Sequence, residues 1–128
     1  MRSAYNFGAD LIFTVGARYK KQITDTQKSF RHVPVLHFEN WESYRSSAPY
    51  SWIPVAVEIT QDAVDIRSFK HPRSCVYLLG PEDGSISKTA IEMSKYQVKI
   101  PTNYCLNVAI AGTVVMYDRI SKAGLGKL

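Results

Sequence analysis

The sequence predicts an α/β domain built on a mainly parallel sheet with helices on both faces. Three observations predict it. Five short apolar runs rich in β-branched and aromatic residues recur along the chain. Segments with helical spacing stand between them. Each run is bounded by Gly, Pro or polar clusters and is almost continuously apolar, as strands covered on both faces are.

Taken in order, "RSAYNFG" (2–8) reads as a short helix closed by Gly8, and "LIFTVG" (11–16) as the first strand. "VPVLHF" (33–38) is a second strand and "ENWESYRSS" (39–47) a second helix. "IPVAVEI" (53–59) and "CVYLLG" (75–80) are further strands. "SISKTAIEMSK" (85–95) follows Asp83 and Gly84, with Ser85 as its cap and Ile86, Ala90 and Met93 on one side. "YQVKI" (96–100) is the last strand. In the helix that follows, Leu106, Ala109, Ile110, Val114, Tyr117 and Ile120 form one stripe. Val108, Ala111, Gly112 and Val115 make its opposite side apolar too. A helix apolar on nearly every side expects burial on several sides, as the centre of a fold or as half of a subunit contact. The tail "KAGLGKL" reads as frayed.

At 128 residues the chain is read as one domain, 1–128, long enough to bury a core without disulfide or metal staples. Hydrophobic residues at 45% and charged residues at 21% exclude general disorder. No apolar run reaches the length of a membrane span, and the first residues carry no signal or transit pattern, so the protein is read as cytoplasmic. Cys75 lies in an apolar run and Cys105 in a polar loop; neither a structural disulfide nor a zinc site is expected from them. Sixteen Lys and Arg against eleven Asp and Glu give a charge of +5, which favours an anionic partner. Basic residues gather at Arg18, Lys20, Lys21, Lys28, Arg31 and His32, and again at Arg67, Lys70, His71 and Arg73. Both clusters read either as solvated surface or as a track for RNA phosphates.

Parallel α/β sheets bind ligands beyond the carboxyl ends of their strands, and two strand ends here are suited to it. In "LLGPEDG", Gly80 and Gly84 permit close backbone approach and Glu82 offers acceptors for a hydroxyl. In "IPTNYCLN", Pro101 stops the strand, a polar loop spans 102–105, and Asn107 caps the next helix. Each signal has a plain reading as a turn or a cap.

In this order, "LGPEDGSIS" and "IPTNYCLNVAIAGTVVMYD" resemble the second and third signature motifs of the SpoU (TrmH-like) branch of the SPOUT RNA methyltransferases. That pattern is a strand ending in G-x-E-x-x-G, then I-P, a short loop, S-L-N and a small-residue apolar helix. Gly80, Glu82, Gly84, Ile100, Pro101, Leu106 and Asn107 match it, while Cys105 stands where serine is usual. "RSAYNFGADLIFTVG" is similar to the tail of the first motif through Arg2, Ser3, Ala4, Phe7 and Gly8.

The resemblance implies a C-terminal deep trefoil knot that holds S-adenosylmethionine, and a homodimer through the C-terminal helix. It implies transfer of a methyl group to a ribose 2′-hydroxyl of tRNA or rRNA, with no metal and no membrane. Cofactor binding falls to Leu79, Gly80, Glu82, Gly84, Ile100, Thr102, Cys105 and Leu106, and catalysis to Arg2 and Asn107. RNA is reached through Arg18, Lys20, Lys21 and Arg31. A guanidinium is a poor base, so Arg2 is expected to hold a developing alkoxide or a phosphate. The family places a strand and an N-x-G element before that arginine. By this resemblance the domain is N-terminally truncated and its sheet lacks an inner strand, through a late start, a relic gene or compensation by the dimer. The alternative reading is a catalytically impaired RNA- or cofactor-binding relic of the family. A small ligand-binding module unrelated to RNA is a third.

Overall fold

The computed structural model of the chain describes residues 2–16, 32–81 and 84–124. The chain divides into two compact units, one reaching to Ala48 and one starting at Pro49.

In the first unit α1 (Arg2–Asn6) ends where Gly8 takes a positive φ of 74°, a conformation without steric cost only for glycine. Strands β1 (Ile12–Val15) and β2 (Val35–Phe38) pair in parallel, with Ile12 opposite Val35 and Val15 opposite Phe38. Helix α2 (Trp41–Ser47) starts after Asn40, whose side chain accepts from the Ser43 amide at 2.8 Å. It presents Tyr44, 2% exposed, to Phe13 and Phe38, with ring centroids 4.8 and 5.6 Å away. Trp41 meets the same tyrosine edge-on. These aromatics are core, the role their spacing suggests.

The second unit holds β3 (Ile53–Val57), β4 (Val64–Asp65), β5 (Cys75–Leu78) and β6 (Tyr96–Lys99) in the spatial order β4-β6-β3-β5. Every pairing is parallel. A 3-10 turn (Ile66–Ser68) follows β4, and α3 (Lys88–Met93) and α4 (Val108–Ala123) flank β6 in sequence. Side chains alternate along a strand. Val55 and Val57 therefore share one face, where they pack with Val98, Ile66, Phe69 and Val115 of α4. Ala56 points to the other face, and α3 contacts β3. Burying Leu78, at 2% exposed, contributes roughly 1.5–3 kcal/mol.

Three expectations change. The described strands form two parallel ladders in place of one sheet, because none of them pairs with the outer edge of β1 or of β5. The α3 cap is Ser87, which accepts from the Ala90 amide at 3.1 Å, and not Ser85. Residues 84–87 are non-helical, so the helix cannot start at Ser85. The two-residue β4 and the 3-10 turn have no counterpart in the sequence reading, being shorter than any hydrophobic period.

Candidate functional site

Because the second unit's strands are parallel, the carboxyl ends of β3, β5 and β6 share one edge of its sheet. Beyond that edge run Glu58, then Leu79 and Gly80, then Ile100 and Pro101. Leu79 and Ile100 both pack against the core cluster that contains Val115 of α4.

Gly80 is needed for space. A Cβ there would lie 2.7 Å from the Ile86 amide nitrogen and 3.1 Å from both Ile86 Cα and Ser85 C, all of them backbone atoms. The close approach expected of a ligand is thus made by the chain's own return. A Cβ at Gly84 would meet only Pro81 Cγ at 3.7 Å, an ordinary contact. On α4, a Cβ at Gly112 would stand 3.2 Å from Leu79 Cδ1, so the helix lies directly against the end of β5.

The loop between β6 and α4 is braced from within. Thr102 Oγ1 donates to the Tyr104 carbonyl at 2.6 Å, and Asn107 Oδ1 accepts from the Ile110 amide at 2.9 Å. Asn107 is therefore the helix cap that the sequence suggests. Thr102, Cys105 and Asn107 are exposed, Leu106 is half-buried, and Tyr104 stands out at 86% exposure.

A residue without any motif also belongs to this edge. Glu58 Oε2 accepts from the Ile86 amide and its Oε1 from the Ile59 amide, both at 3.0 Å. The one sequence signal for it is a carboxylate closing the apolar run of β3.

Of the other predicted residues, Arg2 opens α1 in the first unit and is exposed. Glu82, Arg18, Lys20, Lys21 and Arg31 lie outside the described residues.

The second basic cluster does not expose all of its members, although Lys70 and Arg73 are exposed. Arg67 is exposed and paired with Asp65 at 2.5 Å, whereas the His71 side chain is 5% exposed and turned inward. His71 Nε2 donates to Asp118 Oδ2 at 2.7 Å, since a carboxylate only accepts, and Nδ1 accepts from the Tyr77 hydroxyl at 2.6 Å. Burial lowers the His71 pKa and outweighs the opposing pull of Asp118. Burial, the largest influence on Asp118, raises its pKa, but hydrogen bonds from Lys122 and His71 together bring it below the ordinary value. Burial raises that of Tyr77. Arg119 donates to the carbonyls of Pro72 and Arg73 at 2.8 and 2.7 Å and to the Tyr77 hydroxyl at 3.2 Å. Lys122 donates to the carbonyls of Ile66 and Phe69. The Tyr–His–Asp sequence has the form of a catalytic relay. With its histidine enclosed and its tyrosine also bound to Arg119, it instead clasps α4 to residues 66–77. No metal-ligand cluster occurs among the described residues, and no helix there is long and apolar enough to cross a membrane.

Comparison with known proteins follows the same lines. No curated protein matches the chain. Among solved structures, the SpoU methyltransferase AviRb from Streptomyces viridochromogenes, in complex with AdoMet, gives a TM-score of 0.75 at 22% identity over 95% of this chain and 53% of that one. An AdoMet-bound rRNA methyltransferase from Sinorhizobium meliloti gives 0.82 at 21% over 94% and 49%. An RNA 2′-O ribose methyltransferase gives 0.72 at 20% over 97% and 50%. The chain spans about half the length of these proteins, and the likeness is one of fold. The SpoU rRNA Methylase family model matches residues 1–117. The α/β architecture of parallel strands and the match over nearly the whole sequence agree: the chain belongs to the SpoU rRNA methylase family.

Proposed function

We propose that the chain is an S-adenosylmethionine-dependent RNA methyltransferase, one domain acting on a ribose 2′-hydroxyl of tRNA or rRNA. The observation that carries this reading is that both signature motifs pack on one core cluster at the carboxyl edge of the sheet. Leu79 lies against Gly112, and Leu79 and Ile100 share one core cluster.

The residues present fit the cofactor. Leu79, Ile100 and Leu106 offer apolar walls for an adenine, and the exposed main chain of 102–105 offers polar partners at the strand edge. Gly84 follows along the same edge, Glu82 is assigned to the cofactor by its motif, and Cys105 lends a weaker donor than the usual serine. When bound, S-adenosylmethionine supplies a methyl group already activated on a sulfonium. The protein's task is then to position the hydroxyl and exclude water, where effective molarity removes on the order of 7–11 kcal/mol of barrier. Asn107 has its carbonyl oxygen held by the helix cap, so its amide –NH2 is the group that would donate to a ligand. Arg2 holds a phosphate or the developing alkoxide, and Arg18, Lys20, Lys21 and Arg31 carry RNA phosphates.

We read the α4 clasp as the closure of a trefoil knot. Residues 66–74 join β4 to β5 and grip the last turns of α4, and β6 sits between the earlier strands β3 and β4. A second copy covers the exposed Ile110 and Tyr117 of α4, at 51% and 61% exposure. The free thiols Cys75 and Cys105 fit a cytoplasmic setting.

The test is transfer of labelled methyl from S-adenosylmethionine to total tRNA and rRNA, with Arg2→Ala as control and calorimetry for cofactor binding. Ribose-methylated product, lost in the control, supports the reading. Cofactor binding without transfer to any RNA points to the relic, and absence of both overturns the assignment.

A further inference from the structure

We infer that Glu58 is the positioning residue of the cofactor wall, fixing the end of β5 without touching the cofactor; this rests on the cofactor reading above. Its own amide donates to the Val98 carbonyl at 3.0 Å, which anchors Glu58 to the β3–β6 ladder. From that anchor both carboxylate oxygens accept backbone amides, Ile59 on Oε1 and Ile86 on Oε2. Ile86 is 5% exposed. Its nitrogen is also the atom nearest to where a Gly80 side chain would begin, at 2.7 Å. One amide is thus held from two sides, by a charge and by a bare α-carbon.

Gly80 and Ile86 stand in direct contact. With the carboxylate in place, that contact stays closed and Leu79 stays against Gly112 of α4. A hydrogen bond to a charged acceptor is about twice as strong as a neutral one, and a buried amide that loses its acceptor bears the full desolvation cost. Truncating Glu58 therefore frees Ile86 to move off Gly80. The wall formed by Leu79 and Gly80 then samples positions that no longer match the ligand.

The experiment compares wild-type protein with Glu58→Ala and Glu58→Gln. Readouts are amide hydrogen exchange of residues 85–87, calorimetric Kd for S-adenosylmethionine, and the KM and kcat of methyl transfer. In Glu58→Ala, exchange at Ile86 accelerates, Kd and KM for the cofactor rise roughly tenfold, and kcat stays near that of the wild type. Glu58→Gln lies between, because an amide oxygen still accepts from one N–H while its –NH2 faces the other. A fall in kcat with KM unchanged, or unaltered exchange at Ile86, overturns the inference. So does faster exchange with unchanged Kd. If wild-type protein binds no cofactor, the functional reading fails first and takes this one with it, while exchange still reports whether Glu58 pins the turn.

Discussion

Gly80→Ala gives the sharpest check on the site geometry. Gly80 does not occupy the positive-φ region, so alanine meets no backbone penalty there and the whole effect is contact. Its methyl would start 2.7 Å from one backbone atom and 3.1 Å from two others, none of which can rotate away. Overpacking of this kind costs roughly 1–3 kcal/mol, and for a domain of this size that lowers Tm by roughly 5–10 °C. Gly112→Ala is the matched control. There the nearest atom is the tip of Leu79 at 3.2 Å, which can swing aside, and the helix gains about 1 kcal/mol of propensity. Its stability should stay within about 1 kcal/mol of the wild type. Urea and thermal unfolding followed by circular dichroism measure both. A Gly80→Ala protein as stable as wild type, or less harmed than Gly112→Ala, would refute the argument that the turn closes on its own backbone.

Other outcomes follow from the clasp and from α4. Arg119→Met removes the donor to two carbonyls and the Tyr77 hydroxyl and should cost about 2–3 kcal/mol in urea unfolding; Arg119→Lys should not restore it, because one ammonium cannot span the fork. His71 has its folded pKa pushed below the ordinary 6.5, so its contribution is complete above that value. Unfolding free energy should fall as pH drops below about 6.5, and His71→Gln should flatten that decline; a wild-type profile flat between pH 7.5 and 5.5 would contradict the burial of a neutral ring. Asn107→Ala removes the α4 cap and should destabilise by about 1 kcal/mol, read by thermal melting. On the assembly proposed through α4, wild-type protein should give a dimer and Ile110→Asp a monomer by light scattering; a monomeric wild type, or an unchanged mass in the variant, would refute that assembly.

Much of this was legible because each strand carries its own signal. The apolar runs locate β1, β2, β3, β5 and β6, and the Asn107 cap follows from its place between a proline-stopped strand and an apolar helix. The Ser85 reading failed because the deciding contact is not local. Two serines flank Ile86, and which one caps depends on Ile86 being pulled into the core and tied to Glu58, a contact 28 residues away in sequence. The clasp was illegible for the same reason. His71, Asp118, Arg119 and Lys122 look like ordinary surface charges until the chain brings positions 42 to 56 residues apart into contact. Gly80 was singled out for a ligand's approach, whereas the atoms nearest to it belong to the chain itself.

The clasp also sets a timetable for biosynthesis. His71 leaves the ribosome 47 residues ahead of Asp118, a lag of about 2–9 s at ordinary translation speeds. Through that interval His71 Nε2 and the carbonyls of Phe69, Pro72 and Arg73 lack the α4 partners they hold in the folded chain. Closing that side of the sheet is therefore left to the last helix to be synthesised.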